Sequence, residues 1–355
     1  MPRRTPLATS SRASDVHDLP TVTRVLLVRL GALGDIVHAI PVAAALRRAF
    51  PAARIDWLVS AKHRELLDLV PVIDRRLAIG DGAILDAVRG LRRARYDVAL
   101  DLQGLIKSAM LARGSGARRV IGLSSRYLRE RAARLFYTEV YEPAGPAHVI
   151  RLNLGLLERL GVTAGAPEFP IDQVESAVAR EIGERTGRRY ALLNPGAAWP
   201  NKRWPPVRFA AVAIALRDRH ALPSVVLWGP GEQPLAEEVV ATARGAALIS
   251  PPTSVSDLVA LARGAALMLS GDTGPTHMAA AVGTPVVGIF GPTRPQRNGP
   301  WSPDDVTVSR DAICECHHLR RCKRSTMCLL DIEVDEVVEA IGRRLAGLAA
   351  GASRV

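Results

Sequence analysis

Four stretches of this 355-residue chain combine glycines with acids, a lysine or hydroxyls just after an apolar run, an arrangement suited to phosphate and sugar chemistry. The first is Arg29-Leu30-Gly31-Ala32-Leu33-Gly34-Asp35-Ile36-Val37-His38, which follows the run TRVLLVRL. Its glycines permit a tight strand-to-helix turn at the carboxyl edge of a parallel sheet, where ligands bind. It holds only G-x-x-G before an acid, not the dinucleotide fingerprint G-x-G-x-x-G, and an aspartate there would repel a pyrophosphate. Two roles are open to Asp35: a helix cap, or a carboxylate aimed into a cleft as a general base.

The second stretch is Ser270-Gly271-Asp272-Thr273-Gly274-Pro275-Thr276-His277. Pro275 suits the first turn of a helix, and the N–H groups of Thr273 and Gly274 ahead of it suit an anionic phosphate. Asp272 either caps that helix or accepts hydrogen bonds from sugar hydroxyls, and His277 is either packed or a ligand contact. In the third, Asn194-Pro195-Gly196-Ala197-Ala198-Trp199-Pro200-Asn201-Lys202-Arg203-Trp204-Pro205, two Trp-Pro pairs stiffen a loop carrying Lys202, a counter-charge for phosphate. In the fourth, Leu227-Trp228-Gly229-Pro230-Gly231-Glu232, the acid can bind paired ribose hydroxyls or cap a helix.

Neither an Asp-x-Asp metal motif nor a P-loop G-x-x-x-x-G-K-[ST] occurs in the chain. Leaving-group charge therefore falls to Lys202 and a helix N-terminus rather than to magnesium. All four cysteines, Cys314, Cys316, Cys322 and Cys328, lie in one short segment with His317 and His318 among them. The C-x-C-x5-C-x5-C spacing differs from paired C-x2-C knuckles, so reduced thiols are expected, with a metal site as the weaker alternative.

Apolar runs and helical periods alternate from residue 24 onwards. Helices are expected near 35–50, 62–70, 84–95, after 105, and at 147–160. Strands are expected at TRVLLVRL, RIDWLVS, RRLAI, YDVALDL and RRVIGL. After the Gly/Pro-rich GVTAGAPEFP the pattern restarts, with strands YALLN, SVVLWG, ALIS, ALMLS and PVVGIFG. Helices follow near 207–219, 232–244, 256–263 and 275–282, and a final one near 334–345. This is an α/β chain of two Rossmann-like doubly wound domains facing a central cleft. The expected divisions are a flexible tail at 1–21, domains at 22–170 and 171–332, and a C-terminal helix and tail at 333–355.

Composition narrows the partners. At 48% hydrophobic and 23% charged, the chain can bury a large core. Aromatics at 4% argue against a stacking platform for single-stranded nucleic acid. No apolar run reaches the roughly 18–20 residues that span a bilayer, and the first 21 residues lack the apolar core of a signal peptide. The net charge of +12 is unevenly spread: residues 22–170 carry 23 Lys/Arg against 14 Asp/Glu, and residues 171–355 carry 21 against 19. The first domain therefore faces the more anionic partner.

RLGALGDIVHAIP, DLQGLIKSAML, LLNPGAAWPNKRWP and SGDTGPTHMAAAVGTPVVGIFGPT together resemble the ADP-heptose:lipopolysaccharide heptosyltransferases of glycosyltransferase family nine. The resemblance runs from about residue 24 to the final helix, with the motifs in the same order. YDVALDLQGLIKSAMLAR and the RE-x4-LFY stretch at 129–137 are most similar to the type I enzymes; the cysteine segment is not part of that pattern. The resemblance implies a GT-B fold and inverting transfer of heptose from ADP-heptose to the Kdo or first heptose of the inner core, with no cofactor required. By position, Asp35 is then the base, Lys202 the phosphate contact, Glu232 the ribose contact, and Asp272, Thr273, Gly274 and His277 the rest of the donor site. Lys62, Arg64, Arg126 and Arg129 are expected on the acceptor side. The implied partners are ADP-heptose, Kdo-lipid A and the anionic inner-membrane surface, with no nucleic acid, for a cytoplasmic, peripherally bound enzyme. A nucleotide-sugar epimerase and a non-catalytic nucleotide- or phospholipid-binding protein share much of this pattern; an NAD oxidoreductase fits least.

Overall fold

A computed structural model describes residues 22–80, 84–317, 319–322 and 324–352. The expected N-terminal tail, His318 and the last residues of the C-terminal tail lie outside the described residues.

The chain forms two six-stranded parallel sheets. The first holds β1 (Arg24–Val28), β2 (Arg54–Ser60), β3 (Arg75–Ile79), β4 (Val98–Asp101), β5 (Arg119–Leu123) and β6 (Glu139–Tyr141), in the order β3-β2-β1-β4-β5-β6. The second holds β7 (Ala191–Asn194), β8 (Ser224–Val226), β9 (Ala247–Ile249), β10 (Leu267–Gly271), β11 (Val286–Phe290) and β12 (Val306–Ser309). Its order, β12-β11-β10-β7-β8-β9, is the same topology repeated. In each sheet the strand order reverses between the first and fourth strands, and the crevice at their carboxyl ends is where such sheets bind ligands. The central strands are mostly buried, fully so in the run VVGIF of β11 and exposed only at the first residues of β1 and β2, because helices cover both faces. The edge strands β3, β6, β9 and β12 are less buried.

The helices of the first half are α1 (Leu33–Val37), α2 (Ile40–Ala49), α3 (Arg64–Asp68), α4 (Ile84–Ala94), α5 (Ile106–Gly114) and α6 (Val149–Gly155). Those of the second half are α7 (Ala177–Thr186), α8 (Pro206–His220), α9 (Gln233–Thr242), α10 (Val255–Gly264), α11 (Gly274–Ala281), α12 (Pro295–Asn298) and α13 (Val334–Ala352). The single helix expected at 35–50 is two, α1 and α2, separated at His38-Ala39. Pro41 has no N–H to continue a helix and instead occupies the first turn of α2. The short β6, β12, α7 and α12 are additions that apolar runs did not announce.

Alternate residues of β1 face opposite cores: Leu26 and Val28 pack beneath Leu111 and Ala112 of α5, while Val25 and Leu27 join a second cluster. That second cluster continues without a break through Leu192, Val225, Met278 and Val286 of the other half, so the two sheets share a buried seam. A third core, with Trp204, Phe209 and Val337, lies under α8, α9 and α13. The C-terminal helix is fastened there by the buried Arg344–Asp305 pair at 2.9 Å. Among the described residues, no helix is long and apolar enough to cross a membrane.

Candidate active site

The two switch points face one another across a cavity of about 1220 Å³ lined from both halves. On the first side, the turn after β1 delivers Asp35. Ala32 occupies the N-cap of α1, and its N–H donates to Asp35 Oδ2 at 3.1 Å. The same oxygen lies 2.6 Å from Arg29 Nη2. Asp35 thus takes part in closing its own helix start, yet its side chain stays 43% exposed and lines the cavity. Arg29 is buried, donates also to the Leu102 carbonyl, and so ties the β1 turn to the β4 turn.

A second carboxylate in the lining, Asp101, has a different part. Burial pushes its pKa up, against hydrogen bonds from Tyr137, Gln103, Gly104 and Ser108. With its oxygens engaged by those donors, it holds the 101–105 loop and is not available as a base.

On the second side, Lys202 Nζ meets Asp272 Oδ2 at 2.6 Å and lies 4.7 Å from the centre of the Trp199 ring. The other Asp272 oxygen is 3.0 Å from His277 Nε2. Burial works to raise the Asp272 pKa, but the His277 hydrogen bond and the His277 and Lys202 charges outweigh it and hold the carboxyl far below the usual range. Thr273 is the N-cap of α11, its hydroxyl 3.2 Å from Asn194 Nδ2 and 3.1 Å from Ser270 Oγ. The first N–H groups of a helix have no intrahelical partner, so the start of α11 presents donors and the positive end of the helix dipole to the cavity.

Glu232 is the N-cap of α9 by position, but its side chain makes no cap bond. It accepts the Gly229 N–H at 3.2 Å and lines the cavity. A Cβ at Gly196 would lie 2.0 Å from Glu232 Oε2, so a larger residue there would push this carboxylate out of its present position. One carboxylate thus stands opposite a lysine and a helix N-terminus, with a second carboxylate to their side. That arrangement can deprotonate a hydroxyl on one wall while holding an anionic leaving group on the other.

A family model described as glycosyltransferase family 9 (heptosyltransferase) matches residues 84–327. The chain belongs to glycosyltransferase family 9. A Pseudomonas aeruginosa relative named lipopolysaccharide heptosyltransferase 1 is 29% identical over 310 residues, covering 82% of this chain and 85% of its own. Among solved structures, the family 9 glycosyl transferase of Veillonella parvula superposes with a TM-score of 0.77 at 22% identity, covering 92% of this chain and 97% of its own. The E. coli heptosyltransferase WaaC with ADP superposes with a TM-score of 0.68 at 21% identity, covering 91% and 99%. The twin-sheet architecture of this family 9 chain is GT-B.

The structure of this family 9 chain gathers Asp35, Lys202, Glu232, Asp272, Thr273, Gly274 and His277 around the cavity, and Arg126 and Arg129 also line it. Lys62 and Arg64 are not in that lining: both are exposed, and Arg64 is 3.7 Å from Asp68 on its own helix. The sequence motifs did not single out Trp199, Arg297 or Arg320 as contacts, although all three line the cavity. Trp199 and Arg320 lie on irregular segments and Arg297 on the four-residue α12, all too short to carry a periodic signal. Of the four cysteines, Cys314, Cys316 and Cys328 are buried together with Cys322 packed against them, and all are free thiols. Among the described residues, no group of three or more His, Cys, Asp or Glu side chains is arranged to hold a metal ion.

Three histidines meet where the halves join. His38, after α1, packs against His277 with ring centres 4.2 Å apart and planes tilted by 59°, and lies 5.7 Å from His148. His148 Nδ1 accepts the Ile150 N–H, which leaves Nε2 to donate to the Gly299 carbonyl at 3.0 Å across the seam. A Cβ at Gly34 would lie 2.4 Å from His277 Cδ2, so glycine lets α1 approach α11 this closely. Burial, then the neighbouring His277, His148 and Arg29, lowers the His38 pKa well below its usual value, with Asp272 acting the other way. The folded state therefore binds fewer protons here than the unfolded state, and this contribution to stability is complete above about pH 6.5 and lost as pH falls. The melting temperature should drop from pH 7 to 5.5, and less steeply in His38→Gln. Equal slopes in the two proteins would remove His38 as a cause.

Proposed function

We propose that this protein is an inverting heptosyltransferase of lipopolysaccharide assembly, moving heptose from ADP-heptose to an inner-core acceptor, the Kdo of lipid A or the first heptose. One observation carries the reading: a half-exposed carboxylate at one switch point faces, across the shared cavity, a lysine and a helix N-terminus at the other. The names of the relatives support the sugar and the acceptor class.

In this reading residues 22–170 take the acceptor and residues 171–332 the donor. The Asp35 carboxylate removes the proton of an acceptor hydroxyl, whose oxygen bonds to the anomeric carbon. The bond from that carbon to the diphosphate breaks on the opposite face, and its electron pair leaves with ADP. Lys202 and the N–H groups of Thr273 and Gly274 stabilise the charge gathering on the diphosphate. Glu232 holds the ribose, while Asp272 and His277 bind sugar hydroxyls. No cofactor enters these steps. The enzyme works from the cytoplasm, resting on the inner membrane that holds its acceptor.

The test is a transfer assay with ADP-heptose and Kdo-lipid A, in buffers with and without free divalent cations. Heptosylated lipid with inverted anomeric configuration is expected in both buffers. No sugar transfer would refute the reading, and conversion of donor without acceptor would indicate an epimerase. Strict dependence on added metal would move the leaving-group role away from Lys202.

A further inference from the structure

Large apolar side chains left in water on a folded chain mark a contact surface when they cluster. Here Ile106 and Met110, one turn apart on α5, are 38% and 50% exposed, and Leu135 on the neighbouring 3-10 turn (Arg131–Phe136) is 84% exposed. The two elements pack together through buried Ala109, Ala112 and Ala133, and the Ile106 N–H donates to Glu130 Oε2 at 2.7 Å. The apolar tips therefore project from one rigid unit, not from independent loops.

The charge around them is one-sided. Residues 104–138 contain eight Lys/Arg and a single acid, Glu130, whose carboxylate accepts the Ile106 N–H. Arg119 is neutralised inside the fold by Glu139 at 2.6 Å, and Arg126 lies 3.6 Å from Glu142. Among the described residues, no ion pair engages Lys107, Arg113, Arg129, Arg131 or Arg134. The same segments also reach the cavity, supplying Gly104, Leu105, Leu128 and Arg129 to its lining.

We propose that the exposed face of α5 and the adjoining 131–136 turn are the surface by which this protein sits on an anionic lipid bilayer. Ile106, Met110 and Leu135 enter the boundary between headgroups and acyl chains, and Lys107, Arg113, Arg131 and Arg134 attract the lipid phosphates. An apolar tip ringed by unpaired cations matches that two-layered surface, whereas a protein partner would need acids facing these cations. Resting on the proposed function, the same contact brings the sugar of a lipid-anchored acceptor to the cavity mouth beside Arg129.

The experiment is cosedimentation of the full chain with vesicles of phosphatidylcholine alone or mixed equally with phosphatidylglycerol. Binding to the mixed vesicles is expected, weakening as salt approaches about 1 M, where screening acts within about 3 Å. Met110→Asp/Leu135→Asp and Lys107→Glu/Arg131→Glu should each bind at least about tenfold more weakly. Both variants should keep ADP affinity and transfer to a water-soluble, deacylated acceptor, while losing transfer to acceptor held in vesicles. Absence of wild-type binding to anionic vesicles, or equal binding by the variants, overturns the proposal. So does a concentration-dependent dimer abolished by the same substitutions, which would make the face a contact between two copies. Vesicle binding is read without turnover, so failure of the heptosyltransferase reading leaves this outcome intact.

Discussion

Asp35→Asn should fold, bind ADP, and transfer sugar about 10³-fold more slowly than the wild type, within the range assigned to removal of a general base. The substitution preserves shape, and the new amide oxygen can still accept the Ala32 N–H that Asp35 Oδ2 takes at 3.1 Å. What disappears is the basic oxygen and the 2.6 Å ion pair with Arg29. Asp35 is 43% exposed but the Arg29 side chain only 10%, so the substitution leaves a buried guanidinium without its counter-charge, and the melting temperature should fall measurably while the Leu102 carbonyl still accepts from Arg29. The loss should appear in turnover, with donor affinity measured by ADP titration nearly unchanged. Turnover within about tenfold of wild type would show that some other group takes the proton.

Lys202→Ala should have the next largest effect, and a composite one. Removing a positioned donor to the leaving group should lower turnover by about 10²-fold and weaken donor binding. It also strands Asp272, whose side chain is only 6% exposed, with His277 as its remaining partner. Breaking a buried pair on one side costs about 3 kcal/mol or more. The two consequences separate in Lys202→Ala/Asp272→Asn, which should regain much of the lost stability without regaining turnover. Acid unfolding gives an independent check. The Asp272 pKa is depressed in the folded state, so its contribution is complete above about pH 4 and is lost as pH falls through the lower folded value. Without Lys202 that depression shrinks, and the variant should lose less additional stability between pH 4 and 2 than the wild type. A double variant with restored turnover would place the leaving-group charge elsewhere.

Much of this site is legible in the sequence because its residues sit in short segments whose structure is local. Each of the four glycine-bearing motifs follows an apolar run; the strands β7 and β10 end within a residue of those runs, while β1 stops at Val28 and β8 at Val226, two and three residues short of theirs. A mostly apolar run of that length between helical periods suits a strand covered on both faces of a parallel sheet, and glycines beyond it mark the carboxyl edge. The split between α1 and α2 was less legible, since the apolar period runs on through His38 and only Pro41 signals the break. The short edge strands β6 and β12 carry too few residues for a periodic signal.

Local patterning along the chain was enough for the two doubly wound sheets, the motifs just beyond their strands, and the basic bias of the first half. Which side chains meet follows from the packing of distant segments. That packing paired Lys202 with Asp272, placed Arg29 against Asp35, packed His38 from one half against His277 from the other, and left Lys62 and Arg64 outside the cavity lining. Periodicity reports the environment of a residue's own strand or helix, within a few residues along the chain. Contacts between residues 38 and 277 depend instead on how two separately wound sheets close around one buried seam.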